Sequence, residues 1–199
     1  MPTASNKGGS DYELIPEGLE IGVCYAVIDL GTRYDEKFKK DKREVCLIWE
    51  LPDVEPIIID DKPMPRVISK RYTLSLDERA NLRHDLESWR GTEFTEEQLE
   101  GFNLDVLPEV NCQIQVFHKK SGAKTYANIK TIIPVPKGHV TIKPVNKTVV
   151  YDILDVVPDD GSIPEWICGI IRDAKEWDAE PETDKPSEVP EEESDVEPF

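Results

Sequence analysis

The stretch Arg66-Val67-Ile68-Ser69-Lys70-Arg71-Tyr72-Thr73-Leu74, continued by Ser75-Leu76-Asp77-Glu78 and stopped at Gly91, changes hydrophobic period midway. Val67, Ser69, Arg71 and Thr73 alternate with Ile68, Lys70, Tyr72 and Leu74, which predicts a strand with two unlike faces. Beyond it, Leu76, Ala80, Leu82, Leu86 and Trp89 recur at helical spacing. Ser75 stands three residues before Glu78, a capping-box spacing, with Asp77 as the alternative cap. Gly91 supplies the stop. A strand handing over to a mid-chain helix is the pivot around which the other elements are placed.

Toward the N-terminus, residues 1–10 are small and polar and are expected to be disordered. Pro16-Glu17-Gly18 signals a turn. A first strand is predicted over residues 19–30, with Ile21, Val23, Tyr25, Val27 and Asp29 on one face. A charged loop, residues 31–43, leads to a second strand at 44–51, whose Trp49 belongs in the core. Residues 52–65 hold four Pro and are expected to be a loop or irregular edge. Toward the C-terminus, Thr95 caps a short helix that Gly101 ends. Strands follow at 111–119 and 124–134, joined through Lys120-Ser121-Gly122-Ala123. A basic extended segment, a sixth strand at 149–157 and a helix at 164–177 with Pro at its first turn complete the body.

Strand, strand, strand, helix, strand, strand is the order of an OB-fold, a five-stranded Greek-key barrel with a helix between strands three and four. A generic barrel with an inserted helix shares that order. The expected division is a disordered 1–10, a binding domain over 11–177 and a disordered acidic tail over 178–199.

Net charge is −17 over 199 residues, which taken whole argues against nucleic acid. The distribution says otherwise. Residues 178–199 contain ten acidic residues and one Lys, so more than half of the net charge sits there. Residues 110–151 contain no Asp or Glu, yet carry Lys119, Lys120, Lys124, Lys130, Lys137, Lys143 and Lys147. A surface kept free of negative charge suits phosphate.

Single strands are held by phosphate neutralisation and by base stacking on aromatic rings. An OB-fold presents both on the face of its second and third strands and in the flanking loops. The first of those loops carries Arg33, Tyr34, Lys37, Phe38, Lys39 and Lys40. The second is surrounded by His118, Lys119, Lys120, Lys124 and Tyr126, with Lys130 further along the strand. Lys70 and Tyr72 on the third strand complete the candidate set. No nucleophile elbow, P-loop, HExxH or paired-carboxylate motif is present, so no enzyme is expected. His84-Asp85 is no relay, because neighbours on a helix diverge by about 100°.

Cys24, Cys46, Cys112 and Cys168 lack metal or disulfide spacing and are expected to be reduced thiols of a cytoplasmic protein, the first three buried. No cofactor or metal is expected. No secretory signal is seen and no apolar run approaches about 18 residues, so no membrane partner is expected. Oligomeric state stays open, a homodimer included.

Glu191-Glu192-Glu193-Ser194-Asp195-Val196-Glu197-Pro198-Phe199 places a ring among carboxylates. It resembles the acidic tip of single-stranded DNA-binding proteins, which recruit replication and repair enzymes through a terminal Pro-Phe. That resemblance implies a partner-binding role for Asp195, Val196, Glu197, Pro198 and Phe199. A glutamate, Glu197, stands where the bacterial housekeeping family usually has an aliphatic residue, and the long Gly/Gln-rich linker of that family is missing. Separately, Tyr72-Thr73-Leu74-Ser75-Leu76 with Leu82-Arg83, Asp85 through Gly91 and Phe94-Thr95 resembles phage-encoded single-stranded DNA-binding proteins of OB type, from about residue 12 to 177. This implies DNA replication or recombination in the cytoplasm of an infected bacterium. The rival expectation is an acidic interaction module or DNA mimic directed at a host DNA-processing protein; the acid-free 110–151 stretch weighs against it.

Overall fold

Between Gly18 and Leu51 the chain is dense in β-branched and aromatic residues, and there it forms its two longest strands, β1 (Gly18–Asp35) and β2 (Lys40–Leu51). The computed structural model describes residues 13–59, 61–158 and 160–177. A small separate hairpin follows, β3 (Ile57–Ile59) and β4 (Lys62–Met64), where a loop or irregular edge was expected. Then come β5 (Arg66–Thr73), α1 (Asn81–Arg90), α2 (Glu96–Glu100) and a 3-10 helix at Leu104–Val106. The hairpin β6 (Asn111–Ser121) and β7 (Lys124–Ile133), the short β8 (Val149–Tyr151) and α3 (Glu165–Arg172) complete a mainly β fold.

The main sheet runs β5-β2-β1-β6-β7, antiparallel at every step. β6 pairs with the first part of β1, from Gly18 to Val23, and β8 takes up the same strand in parallel at Ala26, Val27 and Ile28. β5 and β7 stand at opposite ends of this order yet come into contact, so the sheet curls. α1 packs across that seam against both strands.

Both faces of β1 and β2 are buried. On one, Cys24, Val27, Leu47 and Trp49 meet Ile114, Ile132 and the Leu82, Leu86 and Trp89 stripe of α1. Trp49 and Trp89 lie 5.7 Å apart between ring centroids, and the Trp89 indole N–H donates to the Asn111 carbonyl at 3.1 Å. On the other face, Ala26, Ile28, Leu30, Cys46 and Ile48 meet Val149, Tyr151 and the Ile167, Cys168 and Ile171 stripe of α3. Gly31 makes this closure possible. It has φ 68°, and a Cβ there would stand 2.7 Å from the Ala174 methyl and 3.0 Å from Ile153.

The extended segment between β7 and β8 is tied down by polar groups. Asn111 donates to the Ile142 carbonyl at 2.8 Å and accepts from its N–H at 2.7 Å. The buried Glu50 carboxylate accepts from the N–H groups of Val145 and Asn146 at 2.8 and 2.5 Å. These bonds supply partners to backbone groups that irregular chain would otherwise leave unsatisfied.

Several expected boundaries move. The charged 31–43 loop is mostly strand, a hairpin arm whose ladder reaches Asp35 and Lys40. Register shifts between Cys24 and Ala26, and between Asp29 and Thr32, break the single face expected for β1: Val27 enters one core and Tyr25 the other. α1 begins at Asn81, not near Ser75. Ser75 and Asp77 instead accept from the N–H groups of Asp77 and Arg79 at 3.1 Å, so they form a turn ahead of the helix. Thr95 caps α2 in a capping box with Gln98, as its spacing suggests. The sixth strand covers only three residues, and α3 stops at Arg172 before a run of turns.

All four cysteines are buried and free. Burial pushes the Cys24 and Cys46 thiols up to about 12 and raises Cys112 well above its ordinary value. A raised thiol stays protonated and unreactive. Because all four thiols are buried, Ellman's reagent at pH 8 is expected to label none in the native protein and all four after denaturation. Labelling of one or more before denaturation would show a reachable thiolate.

Candidate nucleic-acid interface

Where β5 and β7 meet, the sheet and the start of α3 enclose a cleft of about 700 Å³. Ser69, Lys70 and Arg71 line it from β5, Phe117 and Lys119 from β6, Tyr126, Asn128 and Ile129 from β7, and Trp166 and Ile170 from α3. Arg71, Lys119 and three aromatic rings line one space, together with Lys70, and no carboxylate lines it. Local pairing explains the gathering. Lys119 pairs with Tyr126 and Phe117 with Asn128, so these four share a side of the hairpin. On β5, Ser69 and Arg71 pair with Ile48 and Cys46, the side of β2 that α3 covers. In α3, Ile167, Cys168 and Ile171 turn inward, and Trp166 falls just off that stripe.

The structure thus brings together Lys70, Lys119 and Tyr126 from the expected set. Lys70 is not a free charge: its Nζ lies 2.5 Å from Asp85 of α1 and 5.3 Å from the Tyr72 ring centroid. Tyr72 is corrected outright as a stacking ring. It is 2% exposed, on the core side of β5, and its hydroxyl donates to Asp85 at 2.8 Å. Burial first, and then the Asp85 carboxylate, raise its phenol far above the ordinary range. His118 is half-buried. Its backbone N–H donates to Glu17 at 2.6 Å, and its ring Nε2 lies 2.8 Å from the Ile15 carbonyl oxygen, so it anchors the segment preceding β1. Lys119, Lys120, Lys124 and Lys130 are exposed, and among the described residues none of them forms an ion pair. Lys143 and Lys147, from the same acid-free stretch, pair with Glu109 at 3.6 Å and Asp160 at 2.6 Å.

The β1–β2 arm carries a second group. Tyr34 and Phe38 are 56% and 62% exposed. The Asp35 carboxylate accepts from the N–H groups of Lys37 and Phe38 at 3.0 and 3.1 Å, which shapes the turn. Lys37 Nζ sits 5.3 Å from the Phe38 ring centroid, while Lys37, Lys39 and Lys40 make no ion pair among the described residues. Arg33 differs, because it pairs with Glu44, which also binds Lys42 at 2.8 Å. Burial opposes the charged form of Glu44, but these two cations outweigh it and hold the carboxyl below its usual range. Arg33 is therefore already neutralised.

Sequence reasoning missed Arg71, Phe117, Asn128 and Trp166. The alternation of β5 placed Arg71 opposite Tyr72, a usable signal. Trp166 gave none, since only tertiary packing brings α3 to the hairpin. α3 also covers Cys46 and Ile48, so the side of β2 that would extend the cleft is closed to a ligand. Asp195, Val196, Glu197, Pro198 and Phe199 lie outside the described residues. Among the described residues no His, Cys, Asp and Glu side chains gather as a metal site, and no helix is long and apolar enough to cross a membrane.

No protein-family model matches this chain, and no curated protein does either.

Proposed function

We propose that the protein binds single-stranded DNA without catalysis and largely without regard to sequence, in phage DNA replication or recombination. The carrying observation is the cleft in which Arg71 and Lys119 accompany Phe117, Tyr126 and Trp166 with no carboxylate among its walls. Cations there neutralise phosphates, and rings accept any base, since every base has a π-face. A duplex buries its bases in a stack and has no use for such rings.

The fold supports this reading as an OB-type barrel. Taking β1, β2, β5, β6 and β7 as its five strands, the spatial order is 3-2-1-4-5, with the third and fifth in contact and α1 between the third and fourth. The two hairpin loops that flank an OB groove are then the β1–β2 arm and the β6–β7 turn. The strand enters along Lys119, Lys120 and Lys124 and passes the β5–β7 seam. The acidic 178–199 segment, with Val196, Pro198 and Phe199 set among carboxylates, recruits replication or repair proteins.

Fluorescence anisotropy with labelled oligo(dT) and a duplex of equal length, at low and high salt, tests the reading. Single-strand preference and a fall in affinity with salt are expected. Equal binding to duplex, or none to either at low salt, overturns it. In the same assay, Tyr34→Ala with Phe38→Ala is expected to weaken single-strand binding by about thirtyfold or more with an unchanged melting temperature, because both rings are outside the core. Early unfolding of this double variant would place the rings in the core instead.

A further inference from the structure

The sheet accounts for one wall of the cleft; the other wall comes from a helix outside the five-stranded order. Trp166 is 53% exposed on α3, while its neighbours Ile167, Cys168 and Ile171 are buried against β1 and β2. An indole held in water has no packing reason to be there. It is also not a loose group, because the buried stripe of the same helix fixes its backbone. It shares the cleft with Lys119 and Tyr126 of the hairpin and Arg71 of β5, and no carboxylate lines that cleft; the adjacent Glu165 pairs with Arg172 at 2.8 Å.

We infer that Trp166 is a base-stacking residue, and that α3 and the β6–β7 hairpin form two jaws that take unpaired nucleobases between them. This rests on the single-strand reading above and adds to it a second wall, supplied by a helix outside the five-stranded order, with Trp166 as the ring that carries it. Tyr126 and Phe117 supply rings from the sheet side. Arg71 and Lys119 hold the phosphates on either side of the base. Because α3 is anchored before the ligand arrives, little conformational freedom is lost on binding. Stacking on a ring is tolerant of base identity, so the jaws hold the strand without reading it.

The chain provides its own controls. Of its four tryptophans, Trp49 and Trp89 are core residues, and Trp177 is 44% exposed but does not line the cleft. Two readouts are compared on the full chain: anisotropy of labelled oligo(dT), and quenching of intrinsic tryptophan fluorescence by unlabelled oligo(dT). Trp177→Phe is expected to retain the quench. Trp166→Phe is expected to lose most of it while keeping affinity within about threefold, since a ring remains. Trp166→Ala is expected to bind about fivefold to a hundredfold more weakly, with an unchanged melting temperature. An abasic oligonucleotide of the same length is expected to bind the natural protein more weakly than oligo(dT), and to show a smaller penalty from Trp166→Ala.

Outcomes separate the two ideas. If oligo(dT) binds but Trp166→Phe leaves the quench intact, or Trp166→Ala binds as tightly as the natural protein, this inference is overturned and the single-strand reading survives. If the natural protein gives no anisotropy change with oligo(dT), both fall together.

Discussion

Replacing Arg71 and Lys119 together by glutamate is expected to weaken binding of oligo(dT) at least a hundredfold at low salt. Both side chains belong to exposed residues, both line the cleft, and neither pairs with a carboxylate among the described residues. Reversal does more than delete two phosphate contacts, because it puts anions where the backbone must pass. Deletion alone has a distinct signature. With Arg71→Gln and Lys119→Gln, the slope of log affinity against log salt is expected to fall in magnitude by about 1.4, from about 0.7 per lost single-strand contact. Melting temperature is expected to shift by only a few degrees, since neither residue is core. A glutamate pair that binds oligo(dT) normally would remove the cleft from the ligand path and leave the arm as the only candidate.

Ile167→Ala is expected to lower stability by about 2–5 kcal/mol, a large part of the roughly 5–15 kcal/mol available to a domain. Ile167 is fully buried between α3 and the second face of β1 and β2. For a protein of this size each kcal/mol moves the melting temperature by about 2–4 °C. A drop of about 4–20 °C follows, and urea denaturation should show a lower midpoint with an unchanged slope. An unchanged midpoint would mean that α3 is an appendage rather than part of the core. The same variant reports on the cleft, since loosened packing under α3 frees Trp166 and should weaken oligo(dT) binding in step with the lost stability.

The β6–β7 hairpin, the mid-chain helix and the α2 cap were legible because each rests on a local signal: a Gly turn, a helical stripe, Thr95 three residues before Gln98. β1 was misread for a physical reason. From Cys24 to Leu30 it is buried on both faces, so alternation carries no information there, and two register shifts exchange the faces. Ser75 and Asp77 carry oxygens that suit a helix cap and a turn equally, and the turn prevailed. For the candidate site, exposure separated the rings a ligand could reach from the one it could not. Tyr126, Tyr34 and Phe38 lie outside the core, but Tyr72 shares its strand with Arg71 and points the opposite way. Lys70 and Arg33 were visible as cations, yet their partners Asp85 and Glu44 become neighbours only through the fold. Trp166 lies 40 residues beyond Tyr126 of the hairpin it faces, a distance over which sequence pattern carries no contact information.

The double-sided burial of β1 and β2 also sets an order of events during synthesis. Ala26, Ile28, Cys46 and Ile48 leave the ribosome early, but the residues that cover them, Ile163 to Ala174, are translated more than a hundred residues later. Until then a nascent chain carries a sticky apolar sheet face, the kind of surface on which chaperones act and aggregates start. A chain interrupted before Ala174 keeps that face open permanently. α3 is thus the last of the described elements to be synthesised and the one that closes this face.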